Sequence, residues 1–203
     1  MLRANVIDGL LAGVMVSIGG AVLLSCDNRY LGALLFCIAL LSICYFGFNL
    51  YTGKVGFLLR NHSKAALREA FLGLLGNALG TLLTALLIAA ALPLLKEAAA
   101  AACEKRLTQL PYQTLLRAFF CGVLMYAAVW IYREKKTPLG ILFCIPVFIL
   151  SGFEHSIADM FYFALAGFFS MQSLWFLLLV IAGNSLGGLF IPVLQVLKGD
   201  SRG

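Results

Sequence analysis

The sequence predicts an all-α integral membrane protein with six transmembrane helices, the second and fifth of which are broken. Of its 203 residues, 62% are hydrophobic and 12% are charged, whereas about a quarter of the residues in a soluble protein are charged. The apolar residues form long continuous runs, which differ from the alternating strands of about ten residues in a transmembrane β-barrel. Two short motifs also recur at one common displacement, which indicates an internal repeat.

Polar segments divide the first half of the chain into three predicted spans. The first span covers about 6–24, and the second starts near Tyr30. Glycines and polar side chains interrupt the second span at 47–56, which is typical of a discontinuous helix. A basic loop at 60–68 then precedes the third span, which we expect at about 71–95.

The second half follows a polar segment at 96–109 and also predicts three spans. The fourth covers about 110–132, and the fifth begins near residue 139. Charged side chains break the fifth span within 150–161, after which an apolar run continues to residue 169. The sixth span fills 171–197, so the chain is expected to form one transmembrane domain over 1–203.

Basic residues between the spans predict the orientation, because cytoplasmic loops carry an excess of lysine and arginine. One side collects nine of them: Arg3, Arg60, Lys64, Arg68, Arg133, Lys135, Lys136, Lys198 and Arg202. The other side collects four: Arg29, Lys96, Lys105 and Arg106. Both termini are therefore expected in the cytoplasm, with the protein in the cell's inner membrane. Because the net charge of +6 comes from short groups at span ends, we expect contact with membrane lipid and no nucleic acid.

The two halves repeat each other. Leu35-Phe-Cys-Ile38 recurs as Leu142-Phe-Cys-Ile145, and Gly76-Asn-x-Leu-Gly80 recurs as Gly183-Asn-x-Leu-Gly187, both displaced by 107 positions. Three spans in each half give the second half the opposite orientation in the membrane. The pattern thus predicts an inverted repeat of about 6–95 and 110–197, whose broken helices meet at the midplane and form a substrate site.

Glu154, His155 and Asp159 lie within one of the most apolar parts of the chain. Ionisable groups at bilayer depth are costly and usually face a bundle interior or a wet cavity, so they indicate a transport pathway. The alternative is that these polar groups only satisfy the backbone where the fifth helix breaks. Histidine, with an unperturbed pKa near 6.5, is the natural group to exchange a proton at physiological pH.

Catalytic and metal-binding motifs are absent from the sequence. The six cysteines form no CxxC pair and have no histidine nearby, so we expect neither a metal site nor another cofactor. The two histidines, His62 and His155, form no HExxH motif. Glu154, His155 and Ser156 are adjacent, which does not place their side chains together on a helix. We therefore predict that the chain is not an enzyme.

The segment Ser151-Gly-Phe-Glu-His-Ser-Ile-Ala-Asp-Met-Phe161, together with Pro146 and Gly183-Asn-Ser-Leu-Gly-Gly188, resembles the signature of the formate/nitrite transporter family. Leu50-Tyr-Thr-Gly53 is similar to the family's other motif, and Val129-Trp130 to the end of its fourth helix. The resemblance covers residues 8–197. It implies an aquaporin-like protomer of six helices, assembly as a homopentamer, and passage of small weak-acid anions, such as formate, nitrite, hydrosulfide, acetate or lactate, together with protons.

The same resemblance implies roles for individual residues. His155 matches the family's central histidine, Thr52 the threonine that faces it, and Asn77 and Asn184 the pair that steadies the broken helices. The apolar constrictions are implied at Phe36, Leu40, Tyr51 and Phe148. Lys105 or Arg106 matches the basic residue that precedes the fourth helix and attracts anions.

Several positions depart from the family pattern. Asp159 stands where Asn follows the histidine, and Asn49, Tyr51 and Gly122 also replace usual residues. Lys54 is unexpected so close behind the threonine. It either faces the central site, where it would attract anions, or it reaches the membrane interface or pairs with Asp159.

A bare anion cannot cross apolar rings without a desolvation cost of order tens of kcal/mol in the idealised limit, whereas its neutral acid can. We therefore expect protonation to accompany passage, with His155 donating a hydrogen bond or relaying a proton. The N-termini of the half-helices would attract the anion through their free amides. The alternative function is a non-transporting membrane sensor or assembly subunit with the same fold.

Overall fold

The computed structural model describes residues 2–59, 61 and 63–199 and is all-helical, with no strand in those residues. Arg60 and Arg202, which contributed to the predicted orientation, and His62 lie outside the described residues. By length and composition, five helices of the described chain could cross a membrane, and two shorter apolar helices accompany them. The protein is thus a multi-pass membrane protein.

The first half contains six helices with these bounds: α1 Leu2–Ser25, α2 Arg29–Leu35, α3 Cys37–Phe46, α4 Tyr51–Lys54, a 3-10 helix Val55–Leu59 and α5 Lys64–Ala91. Phe36 keeps helical dihedral angles, so α2 and α3 form one nearly continuous apolar rod. α5 begins seven residues before the predicted third span because the Ser63 side chain caps it by accepting from the Ala66 amide.

The second half contains four helices with these bounds: α7 Pro111–Lys135, α8 Leu139–Leu150, α9 Ser156–Ala166 and α10 Met171–Leu197. Between the halves, the polar segment forms α6, Leu95–Leu107. Its run of alanines has the highest intrinsic helix propensity, which explains a helix where the hydropathy alone indicates only a connection.

Glycines bring helices of each half into close contact. α1 packs on α5 where Gly76 and Gly80 lie against the backbone of α1, and a Cβ at Gly80 would collide with the Leu10 carbonyl oxygen. α7 packs on α10 in the same way, with Gly183 and Gly187 against the backbone of α7. Small residues permit this close approach between membrane helices. The repeated motif therefore forms the same helix contact twice.

Several charged and polar residues lie inside the protein beside its apolar core, and many large apolar residues lie on its surface. Glu154 and Asp159 are 3% and 1% exposed, whereas Phe46 and Phe143 are 74% and 69% exposed. This is the reverse of a soluble protein and suits a lipid environment, where charged side chains face the bundle interior. The candidate site consequently lies in the middle of the helices.

Candidate functional site

Two interruptions between helices form the frame of the site. α3 ends at Phe46, and Gly47 with φ +75° turns the chain before α4 begins at Tyr51. α8 ends at Leu150, and Gly152 with φ +70° precedes α9. Glycine adopts this left-handed conformation without a Cβ penalty. Each interruption leaves backbone groups that need partners outside the helix.

Asn77 on α5 supplies partners at the first interruption. Its Oδ1 accepts from the Tyr51 amide at 3.0 Å, and its Nδ2 donates to the carbonyl oxygens of Gly9 at 2.8 Å and Asn49 at 2.9 Å. Both amide protons are used, and the side chain is fully buried. Asn77 thereby joins α1, α5 and the start of α4.

Asn184 on α10 makes the matching contacts at the second interruption. Its Oδ1 accepts from the Ser156 amide at 2.8 Å, and its Nδ2 donates to the carbonyl oxygens of Ala118 at 2.8 Å and Glu154 at 2.9 Å. The two asparagines are 107 positions apart and bind equivalent backbone groups. They hold both helix interruptions in the same geometry.

Thr52 and His155 meet between the two interruptions. Thr52 Oγ1 and His155 Nε2 are 2.8 Å apart, and both residues are buried. The Ala158 amide donates to His155 Nδ1 at 3.2 Å, as a helix N-cap contact. Nδ1 is therefore an acceptor, which places the proton of the neutral ring on Nε2 and makes Nε2–H the donor to Thr52.

On the His155 side lies a cavity of about 310 Å³, which we call the α6 cavity. Phe36 and Phe148 line it and contact each other edge to face, with ring centroids 6.2 Å apart. Phe148 also stacks on the His155 ring at 5.7 Å. The walls carry ionisable side chains as well, namely Arg29, Lys105, Arg106, Arg117, Glu154 and Asp159.

On the Thr52 side lies a cavity of about 150 Å³, which we call the α3 cavity. Leu50 and Gly53, which flank Thr52 along the chain, line it together with Leu40 and Lys54. The hydrogen bond between Thr52 and His155 thus joins a residue that lines the α6 cavity to a residue whose neighbour Gly53 lines the α3 cavity. Leu40 is one helical turn beyond Phe36, so this helix presents an apolar side chain to each cavity.

Arg106 is bound tightly in the wall of the α6 cavity. Its Nε lies 3.0 Å from both Glu154 Oε2 and Asp159 Oδ1, and its guanidinium lies over the Tyr162 ring at 4.9 Å. Gln109 Nε2 donates to the other oxygen of Glu154 at 2.6 Å. We call Arg106, Glu154 and Asp159 the carboxylate cluster.

The comparisons with known proteins agree with this architecture. The family model for formate/nitrite transporters matches residues 2–197. The chain belongs to the formate/nitrite transporter family. This confirms the resemblance found in the sequence motifs and places the protein among channels and transporters rather than enzymes. No curated protein matches the chain at a significant level.

Two solved structures share the fold. One is described as a pentameric formate channel with formate bound; it is 21% identical, with a TM-score of 0.82 over 98% of this chain and 97% of that one. The other is described as an FNT family ion channel and is 23% identical, with a TM-score of 0.82 over 98% of this chain and 89% of that one. At these identities the likeness establishes the formate/nitrite transporter fold.

Tyr51, which is predicted at an apolar constriction, lines neither the α6 nor the α3 cavity, and its hydroxyl lies 2.8 Å from Ser185 Oγ on α10. Its neighbour Leu50 lines the α3 cavity. The role of Tyr51 at a constriction between the cavities stays a prediction.

Lys54 does not pair with Asp159, so that hypothesis is wrong. Its Nζ binds Glu69 Oε1 at 2.9 Å, and the two side chains are 31% and 42% exposed. Lys54 lines the α3 cavity and also an adjoining cavity of about 320 Å³ that Glu69 shares. Asp159 is occupied by Arg106, which lies on a different helix and in a different cavity.

The α6 cavity has more basic residues than the single one that the family motif implied before the fourth helix. Both candidates line the α6 cavity, but Lys105 is exposed whereas Arg106 is held between two carboxylates. Arg29 and Arg117, which the motifs did not reveal, line the same cavity. Arg117 could have been found from sequence, because it is an ionisable residue inside a predicted span.

A metal ion has no candidate site in the described part of the chain, where no three His, Cys, Asp or Glu side chains lie close enough to bind one. His155 is engaged by Thr52 and by the start of α9. The chemistry that this arrangement offers is hydrogen bonding at His155 and Thr52.

Proposed function

We propose that the protein is a membrane channel or transporter for small monovalent anions of weak acids, of the formate, nitrite, hydrosulfide, acetate or lactate class. Passage is coupled to a proton and centres on His155. The observation that supports this most directly is the Thr52–His155 hydrogen bond, which joins a residue in the wall of the α6 cavity to the neighbour of Gly53 in the wall of the α3 cavity.

The walls beside this hydrogen bond favour a neutral solute. Phe36 and Phe148 lie on one side of His155, and Leu40 and Leu50 lie on the side of Thr52. Apolar walls cannot replace the water around a charge, so an anion is excluded while its conjugate acid is admitted. A solute that displaces the Thr52 hydroxyl can accept a hydrogen bond from Nε2–H of His155.

In the membrane, α2, α3 and α4 together form the second span and α8 with α9 forms the fifth, which gives six spans in all. The halves 6–95 and 110–197 are inverted repeats, and both termini are cytoplasmic at the inner membrane. Support comes from the matching contacts of Asn77 and Asn184 and from the matching glycine contacts of α5 and α10.

The protein assembles as a homopentamer with one pathway in each protomer. The large apolar side chains exposed on the protomer surface leave room for both lipid and subunit contacts. A solved structure of the same fold is described as a pentamer, which supports this assembly. Native mass spectrometry from mild detergent should show five copies, and a monomer or trimer would contradict it.

Liposome flux measurements test the function. Purified protein in liposomes should accelerate uptake of formate or another member of the panel above the rate of protein-free liposomes, with protons entering in parallel. His155→Asn and Thr52→Val should assemble normally and transport more slowly. If no member of the panel moves faster than through lipid alone, the chain is instead a non-transporting sensor or assembly subunit of the same fold.

A further inference from the structure

His155 is poorly placed to give a proton to the solute. Its Nδ1 accepts the Ala158 amide, and its Nε2–H donates to Thr52. A neutral imidazole that lost Nε2–H would become an anion, which is not accessible near neutral pH. To become an acid, the ring would first have to bind a proton at Nδ1, and that requires the N-cap contact of α9 to break.

The carboxylate cluster is the nearest alternative source. Glu154 and Asp159 both approach the same nitrogen of Arg106, at 3.0 Å each. Their side chains are only 4% and 1% exposed. One guanidinium cannot neutralise two carboxylates, and two carboxylates that share one site ionise together only at a high cost. The cluster is therefore electrically balanced when it holds one proton.

Asp159 also retains an unused atom. Its Oδ2 is buried and makes no hydrogen bond to any described residue, although a carboxylate oxygen at such a depth normally has a partner. A proton on this oxygen would remove a charge that is costly to bury. Asp159 lies in the first turn of α9, which His155 caps, and both residues line the α6 cavity.

We propose that Glu154 and Asp159 together hold one proton and deliver it to the anion in the α6 cavity, while His155 positions the solute. In this step the O–H bond of the protonated carboxyl breaks and an O–H bond forms on the anion. The cluster then carries two carboxylates beside Arg106 until water in the cavity returns a proton. The inference rests on the proposed function, since it specifies where the transported proton originates.

None of the ionisable groups around the cluster can supply the proton near neutral pH, so the carboxyl pair stores it. Thiols and phenols ionise above neutral pH, and arginine and lysine stay protonated, so none of these gives up a proton there. The facing groups are Cys103 and Lys105 on α6, Arg117 and Cys121 on α7, Tyr162 on α9 and Arg29 on α2. α10 has no ionisable side chain, and those of α1 and α5 lie in the first two turns of these helices.

Infrared spectroscopy of the full chain in liposomes tests the stored proton directly. The wild-type protein at pH 7 should show the C=O band of a protonated carboxylic acid. Asp159→Asn and Glu154→Gln should each remove it, because the remaining carboxylate then forms a balanced pair with Arg106. Glu104→Gln on the exposed side of α6 is the control and should keep the band. No band in the wild type, or a band that survives in both variants, would overturn the proposal.

The pH dependence of formate uptake tests the delivery. Asp159→Asn should reduce uptake at pH 7 by about tenfold and move the profile to lower pH, because it removes the proton store. His155→Asn should lower uptake at every pH and keep the shape of the wild-type profile. The reverse pattern, with the profile unchanged in Asp159→Asn and lost in His155→Asn, would overturn the proposal. If the wild type moves no member of the anion panel, the proposed function fails, and the infrared result still decides where the proton lies.

Discussion

The two helix interruptions share one backbone design and differ in charge. Asn77 and Asn184 hold them with equivalent hydrogen bonds. Beside the first, Lys54 binds Glu69 in a pair of one cation and one anion whose side chains are 31% and 42% exposed. Beside the second, Arg106 binds two carboxylates that are almost fully buried. The two interruptions therefore share one backbone fold and differ in the charged side chains beside them.

This difference has an energetic consequence. An exposed ion pair contributes up to about 1 kcal/mol, because water competes for both charges and salt screens them. A buried pair is different, since removal of one partner leaves a charge that has neither water nor a counter-ion. The stability of the second interruption should hence depend on its ionic contacts. The stability of the first should depend mainly on the hydrogen bonds of Asn77.

The largest effect is expected at Arg106. Arg106→Gln leaves Glu154 and Asp159 buried together without the guanidinium that binds both, which should lower the free energy of unfolding by about 3–5 kcal/mol. Thermal unfolding of the reconstituted protein measures this loss. Adding Asp159→Asn should restore part of the stability by removing one of the two carboxyl groups. Wild-type stability in the single variant would show that the carboxylates are neutralised in another way.

The asparagines should give the next largest effect, and an equal one in the two halves. Asn77→Ala and Asn184→Ala each remove three hydrogen bonds and strand buried backbone groups, so each should cost about 3 kcal/mol. The same unfolding measurement applies to both variants. A difference of more than about 1 kcal/mol between them would show that the two interruptions are not mechanically equivalent.

Much of this frame could be predicted from sequence because it depends on local patterns. The glycines and polar residues at 47–56 and 150–161 marked the interruptions, and the displacement of 107 positions related Asn77 to Asn184. The partners of the charged side chains could not be predicted. Arg106 meets Glu154 across 48 positions and Asp159 across 53, and only the packing of α6 against α9 determines that contact.

The family motif identified the segment 50–53 but not the direction in which each of its side chains points. For Lys54, a pair with Asp159 was one of three alternatives, suggested because both positions depart from the family pattern, whereas its partner in the structure is Glu69. Co-occurring departures indicate contact only when the fold brings the positions together.

A smaller effect is expected at the point where the halves meet. Thr52→Val deletes the hydroxyl that receives Nε2–H of His155 and keeps the shape of the side chain. Since one neutral hydrogen bond is worth about 1 kcal/mol, stability should fall by about that amount. Formate flux should fall without a change in the shape of its pH profile, because the carboxylate cluster is intact. A shifted pH profile in Thr52→Val would show that the two sites titrate as one unit.

The smallest effect is expected at Lys54, whose exposed ion pair lies beside the first interruption. Lys54→Met should change the free energy of unfolding by less than about 1 kcal/mol, because the pair with Glu69 is well exposed. It removes a cation from the α3 cavity, so anion flux should decrease modestly at low salt and converge with the wild type at high salt, where screening suppresses the attraction. Glu69→Gln is the matched control: it frees Lys54 and should raise the low-salt flux. If Lys54→Met alters neither anion selectivity nor pH dependence at any salt concentration, Lys54 has no part in transport.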